Sequence, residues 1–213
     1  MKTGGLAMVV ALCVAACGSS DIALKYGARS YAPDDYEDVY ERWTRERQAF
    51  EIGRLQDVMA VTATYEAWDF RWAYTVRYAH DYGLSSAETK GLLHTAHHDS
   101  LQQHRFFVTL AGTNFRESDL ISRHNAWRVM IINDQGRGVE SSKIEKISSR
   151  PYAPERVYFP SMSPFRHAFR ISFPTRLSNG EPILTRASKY VLLRFTGSLG
   201  TVDLRWEFQT DAT

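Results

Sequence analysis

From Tyr190 to Phe208 the chain alternates apolar and polar side chains on both sides of Gly197-Ser198-Leu199-Gly200. In an extended chain Val202, Leu204, Trp206 and Phe208 share one face, and Asp203, Arg205 and Glu207 share the other. Such a pattern buries its apolar face only as a half-covered antiparallel hairpin, with the glycine-flanked dipeptide as its turn. A lone hairpin is marginal in water, so this one commits the rest of the chain to supplying more strands and a second layer.

Those strands are legible. Phe106 to Ala111 is one, and Trp127, Val129 and Ile131 mark another that leads into the turn-rich Asn133-Asp134-Gln135-Gly136. Val139 to Ile147 returns from that turn. His167, Phe169, Ile171 and Phe173 alternate with Ala168, Arg170 and Ser172 until Pro174 ends the run. Short strands separated by turn signals predict an antiparallel sandwich.

The first half of the domain reads differently. Asp34-x-x-Glu37 offers a helix start, and Tyr36, Val39, Tyr40, Trp43 and Phe50 follow at helical spacing, predicting one surface helix that ends before Gly53. Leu55 to Tyr65 is extended, with Met59, Val61, Ala63 and Tyr65 on one face. From Trp68 to Tyr82 the aromatics alternate as in a strand. Gly83 then sits where a left-handed cap belongs, and Ser85-x-x-Glu88 forms a capping box behind Leu84 as its staple residue. Two helices meeting at Gly83 satisfy these signals better than a strand. The expected fold is therefore α+β, an antiparallel β-sandwich with an N-terminal helix and a two-helix excursion.

The amino terminus carries an address. After Met1-Lys2-Thr3, eleven apolar residues run unbroken from Leu6 to Ala16. As a helix they reach about 16 Å against roughly 30 Å of bilayer hydrocarbon, too short to span but suited to an export signal. Val14-Ala15-Ala16-Cys17 resembles the bacterial lipobox, an aliphatic residue and two small ones before a cysteine. The resemblance implies diacylglyceryl transfer to the Cys17 thiol and cleavage between Ala16 and Cys17. Cys13 fits less well, since bulky Leu12 would precede the cut. In such lipoproteins an Asp after the cysteine favours inner-membrane retention. Gly18 stands there, which by resemblance points to the outer membrane, facing the periplasm or the cell surface.

The expected organisation is a signal peptide over 1–16, a tether over 17–33, and a single globular domain over 34–213, helical in 34–104 and mainly β in 105–213. Ala63-Thr64-Tyr65, Phe70-Arg71-Trp72-Ala73-Tyr74, Trp127-Arg128, Tyr158-Phe159-Pro160 and Phe173-Pro174 resemble a pattern in uncharacterised bacterial lipoproteins. That likeness covers most of residues 55–174, implies the architecture and brings no activity.

Both cysteines, Cys13 and Cys17, fall at or before the cleavage site, so lipid on Cys17 would leave the domain without a thiol. Packing must hold it, and 5 Trp, 11 Tyr and 11 Phe supply the means. A formal net charge of +2 gives no basis for nucleic-acid binding. Charge is unevenly placed, with 13 basic and 17 acidic residues over 17–136 against 12 and 7 over 137–213. That imbalance would orient an envelope protein or an anionic polymer.

Chemical motifs are sparse. His94 and His98, four apart on a predicted helix near His97, Asp99 and His104, would face one side and could share a metal ion. No His-Glu-x-x-His motif, Gly-x-Ser-x-Gly elbow, Ser-x-x-Lys pair, calcium loop or dinucleotide fingerprint is present, and no cofactor is implied. Ser198 lies between glycines that a hairpin turn needs anyway. Asp34-Asp35 and Glu117 with Asp119 sit in predicted caps and loops. Arg166, Arg170, Arg194 and Arg205 lie on non-core strand faces and would form a basic surface if those faces adjoined. The reading is a lipid-anchored envelope protein that binds or scaffolds, favoured over an enzyme. The alternative is a metal-assisted hydrolase using His94 and His98.

Overall fold

A computed structural model describes residues 22–24, 26–51, 56–112, 115, 118–123, 125–148 and 153–209. Its elements run α1 (Tyr36–Trp43), β1 (Thr44–Glu51), β2 (Gln56–Tyr65), α2 (Trp68–Asp81), α3 (Ser86–Gln102), β3 (Gln103–Gly112), β4 (Trp127–Asn133), β5 (Gly138–Glu140), β6 (Lys143–Ile147), α4 (Glu155–Tyr158), β7 (His167–Pro174), β8 (Tyr190–Gly197) and β9 (Gly200–Glu207). They form two antiparallel sheets, ordered β1-β2-β3-β7-β6 and β5-β4-β8-β9. The fold is α+β, an antiparallel sandwich with an N-terminal helix and a two-helix excursion between β2 and β3.

Period-two patterning decides what lies between the sheets. Val61, Ala63, Tyr65, Phe106, Val108, Phe169, Ile171 and Phe173 point inward from the first sheet, and Val191, Leu193, Phe195, Val202, Leu204 and Trp206 from the second, all buried. Trp206 joins the layers, its ring 5.2 Å from Phe106 and 6.2 Å from Tyr65. The outer face of the first sheet is covered as well. Phe107 lies flat on Phe159 at 3.7 Å, and Phe70, Tyr74 and Tyr36 pack around Phe159 and Tyr158. Helices thus form a third layer on the five-stranded sheet.

Gly83 adopts φ 61°, and Leu84 N–H reaches back to Ala79 O at 2.8 Å, which caps α2 as a helix. Ser85 and Glu88 close their capping box reciprocally at 2.8 and 3.3 Å. The single helix expected from Asp34 to before Gly53 is not formed. A short 3-10 turn at Pro33–Asp35 precedes α1, and the chain turns into β1 at Thr44. The reason is competition for backbone groups. Trp206 Nε1 takes the Trp43 carbonyl at 2.7 Å, and β1 pairs along the free edge of β2, with Thr44 bonded to Thr64 at 2.8 Å. The half read as helical therefore also supplies β1 and β2.

Val139 to Ile147 is likewise two strands. β5 pairs with β4 in one sheet and β6 with β7 in the other, with the crossing at Ser141-Ser142. Ser141 N–H still bonds Val129 O at 3.1 Å, while Ser142 N–H already bonds Ser172 O at 2.8 Å.

Residues 22–24 and 26–32, inside the stretch expected as a tether, lie on the domain. Ile22 is 1% exposed and accepts a bond from Gln209 N–H at 2.7 Å. Gly27 O accepts from Trp68 Nε1 at 2.7 Å, and Arg29 and Tyr31 both bond Asp69 at 2.8 Å. The signal residues, Ala16 and Cys17 fall outside the described residues. Among the described residues no helix is long and apolar enough to cross a membrane.

The hairpin that anchors the second sheet turns at Ser198-Leu199, with Gly197 paired to Gly200. A Cβ on Gly197 would lie 1.7 Å from the Ala126 carbonyl oxygen, a backbone atom with no room to retreat. Gly197→Ala should therefore destabilise the protein by at least about 2 kcal/mol. Urea unfolding of the full-length protein checks this, and an unchanged midpoint would show that the loop before β4 yields.

Candidate functional site

β2 ends at Tyr65 and α2 begins at Trp68, so the chain must reverse within two residues. Glu66 sits in that turn with only 3% exposure, its N–H bonded to Arg105 O at 2.8 Å. Its carboxylate takes a bond from the Arg105 guanidinium and another from Arg170 Nε at 3.1 Å. Burial by itself would raise the Glu66 carboxyl. The nearby charges of Arg170, Arg105 and Arg71 and the Arg105 bond outweigh it and hold the group at about 2.

Arg71, one helical turn along, is also 3% exposed. It is satisfied by backbone carbonyls, Glu66 O at 2.6 Å and, more weakly, Ala96 O and Gln103 O at 3.4 Å each. Burial, then repulsion from Arg105, lowers its guanidinium to about 10. The contacts stitch α2 to the end of α3 and the start of β3.

Above this charged floor a groove of about 490 Å³ opens between α2, α3 and α4. Arg71, Arg105 and Asp99 line its base, with Leu92 on the α3 side. Tyr74, Tyr78 and Tyr82, spaced four apart on α2, stack in series at 6.1 and 4.4 Å. Tyr158 meets Tyr74 edge-on at 5.1 Å and bonds Asp81 at 3.1 Å. All four rings line the groove, and the Tyr158 hydroxyl is committed to Asp81.

A second polar cluster lies behind it. His104 is buried, with Nδ1 2.8 Å from Tyr65 Oη and Nε2 without a partner among the described residues. Burial, then Arg71, lowers the imidazole to about 4. The ring thus packs neutral against a small void closed by Tyr26.

The residues singled out from sequence are dispersed. His94 and His98 are exposed on α3, and His98 Nε2 contacts Gln102 at 3.1 Å. His97 packs edge-on against Trp68 at 4.8 Å instead of joining them. Among the described residues no three His, Cys, Asp or Glu side chains gather as a metal site. Ser198 is a turn residue. Asp35 accepts from Ala32 N–H, Asp119 binds Lys146 at 2.6 Å, and Glu117 lies outside the described residues. Asn133 Oδ1 accepts from Gln135 and Arg137 and organises its turn.

The four arginines do not form one surface. Arg166 and Arg170 belong to the first sheet and Arg194 and Arg205 to the second, and each has a carboxylate partner: Glu46, Glu66, Asp203 and Glu207 respectively.

No protein family and no curated protein matches the sequence. Among solved structures, a protein of unknown function from Burkholderia pseudomallei K96243 is similar at 10% identity with a TM-score of 0.37, covering 83% of this chain and 90% of that one. Nothing about this chain's role follows from that likeness.

The buried pair of groups makes stability depend on pH in two windows. His104, lowered from 6.5 to about 4, contributes stability that is full above 6.5 and lost as pH falls to 4, on the order of 3 kcal/mol. Glu66, lowered from 4.5 to about 2, contributes stability that is full above 4.5 and lost as pH falls towards 2. His104→Gln should flatten the upper window alone. Glu66→Gln should cost about 3–5 kcal/mol at neutral pH, since it strands two arginines, and flatten the lower window. Urea titrations from pH 7 to 2 read both, and a wild-type midpoint constant across this range would contradict the assignment.

Proposed function

We propose that this protein is a lipid-anchored component of the bacterial cell envelope, attached through Cys17 to the outer membrane, and that its domain binds a small carboxylate-bearing ligand in the groove between α2, α3 and α4. The lipobox at Val14–Cys17 supports the address. The observation that carries the binding role is that two arginines and four tyrosines line one concave space of about 490 Å³. Specific small-molecule sites commonly enclose about 300–1,000 Å³ with a few polar groups fixing orientation.

The electrostatics select the ligand. Arg71 lines the groove with carbonyl partners and, among the described residues, no bonded carboxylate, while Arg105 is paired with Glu66 and Asp99. An acceptor-rich group fits there, and an apolar or sugar-sized body fits against Leu92 and Tyr82. The groove lining includes neither histidine nor serine, and its carboxylates are Asp99, 3.8 Å from Arg105, and Glu155. We read this set of groups as suited to recognition.

Two experiments test the proposal. A uronic-acid oligosaccharide at a hundredfold excess over its dissociation constant should stabilise the full-length protein by about 2.7 kcal/mol, raising Tm by roughly 5–10 °C. Leu92→Trp, which fills the groove from the exposed side of α3, should abolish that shift without lowering the ligand-free Tm. No shift with wild-type protein at millimolar ligand sinks the binding role. For the address, Cys17→Ala should accumulate as an uncleaved, unlipidated precursor, and normal processing of that variant refutes the anchor.

A further inference from the structure

The position of Ile22 fixes how an anchored molecule must stand. Its side chain is buried and its carbonyl is tied to Gln209, so the domain holds the chain at that point. Five residue steps separate it from Cys17, a reach of at most roughly 18 Å when fully extended. β2 alone has ten residues and spans about 30 Å. The far end of the sandwich therefore lies beyond the reach of the anchor, and the end bearing Ile22 must face the bilayer.

That end is where β2, β4, β7 and β9 finish and β1, β3 and β8 begin, as the pairs Thr44–Thr64, Tyr65–Phe106, Gln103–Pro174, Asn133–Val191 and Tyr190–Glu207 show. The segment from Thr175 to Lys189 caps it. Lys189 O accepts from Phe208 N–H at 2.8 Å, one residue from the Gln209–Ile22 bond. Arg186 lies near enough to Tyr26 for its charge to act on that phenol.

Arg176, Arg186 and Lys189 are exposed, and among the described residues none has a carboxylate partner. Arg137 with Glu181 and Arg205 with Glu207 are paired internally. Asp134 accepts the Lys189 N–H at 3.0 Å, Asp69 is bonded to Arg29, and Glu41, three residues before Thr44, is an exposed acid near this end. Of the exposed apolar side chains, Phe115, Ile121 and Phe165 lie at or beside the opposite strand ends, around His167 and Gly112, while Tyr26 and Leu101 lie at this end.

We infer that in the anchored protein the surface carrying Arg176, Arg186 and Lys189 docks on anionic lipid headgroups. The inference rests on the Cys17 anchor proposed above. Its physical basis is distance, because exposed charges are screened beyond about 8 Å at physiological salt and a short leash keeps these within range. A longer tether would leave them in bulk solvent. Each basic side chain near such a surface is worth about fivefold in the docked-to-undocked ratio. Docking leaves the α2–α3–α4 groove open on the flank of the molecule, on the outer side of the five-stranded sheet.

Full-length lipidated protein, in vesicles of 30:70 phosphatidylglycerol and phosphatidylethanolamine or of phosphatidylcholine alone, provides the test. Backbone hydrogen exchange over residues 176–190 should slow by about fivefold or more in the anionic vesicles only. Arg186→Glu with Lys189→Glu should remove that protection while intact mass still reports lipid on Cys17. Equal exchange in both vesicle types with the lipid present overturns the docking surface and leaves the anchor standing. Protection centred on residues 118–123 instead would overturn the orientation. A mass without lipid overturns the anchor itself and the docking with it.

Discussion

Placing an ionised carboxylate in a protein interior costs several kcal/mol in lost hydration, and only well-placed partners offset it. Glu66 imposes that condition on this fold. It occupies the tight reversal between β2 and α2, and its partners come from β3 (Arg105) and β7 (Arg170). Two neighbouring strands and the start of a helix must therefore be in register before the charge is satisfied. Arg71 extends the arrangement, since its guanidinium bonds carbonyls of the Glu66 turn, α3 and β3. Once these contacts form, α2 can lie only on the outer face of the five-stranded sheet, and the groove follows from where α3 and α4 meet it.

Around that polar centre the molecule is built from aromatic rings. With no thiol chemistry available within the described residues, cohesion has to come from area and shape. Phe107, Phe159, Phe70, Tyr36 and Tyr74 form a second apolar layer outside the sandwich, distinct from the Trp206, Phe106 and Tyr65 contact between the sheets. Ring pairs of this kind contribute about 0.5–1.5 kcal/mol each beyond the area they bury. Arg170 serves both layers, binding Glu66 and lying 5.9 Å over the Phe107 ring.

Much of this was legible in the sequence where the information is local. Gly83 with Ser85-x-x-Glu88 identified two helices against the strand-like alternation of Trp68 to Tyr78, because a left-handed glycine and a capping box are each decided within a few residues. β4, β7, β8 and β9 showed their period directly. β1 was not legible, since Thr44-Arg45-Glu46-Arg47 has no apolar face and becomes a strand only because β2 offers an unpaired edge and Trp206 takes the Trp43 carbonyl. The groove was hidden for a related reason: its groups come from positions 71, 105 and 158, which share no local pattern. One signal did exist. Arg71 sits at helical spacing between Trp68 and Thr75, on a stripe where a charge must find buried partners.

The N-terminal segment of the domain is fastened to the helix that lines the groove. Asp69 lies in the first turn of α2 and gathers Arg29, Tyr31 and the Trp43 indole at 2.8, 2.8 and 3.1 Å. The segment leading towards Cys17 is thus fastened to the helix that carries the Tyr74–Tyr78–Tyr82 stack. Gly27 O bonds the Trp68 indole beside it, and Tyr26 closes the void over neutral His104. Load applied through a lipid anchor would pass first to Ile22 and Gln209, then to Asp69, before reaching the sheets. This chain routes residues 27–31 across the start of α2, so the N-terminal segment and the groove share one helix.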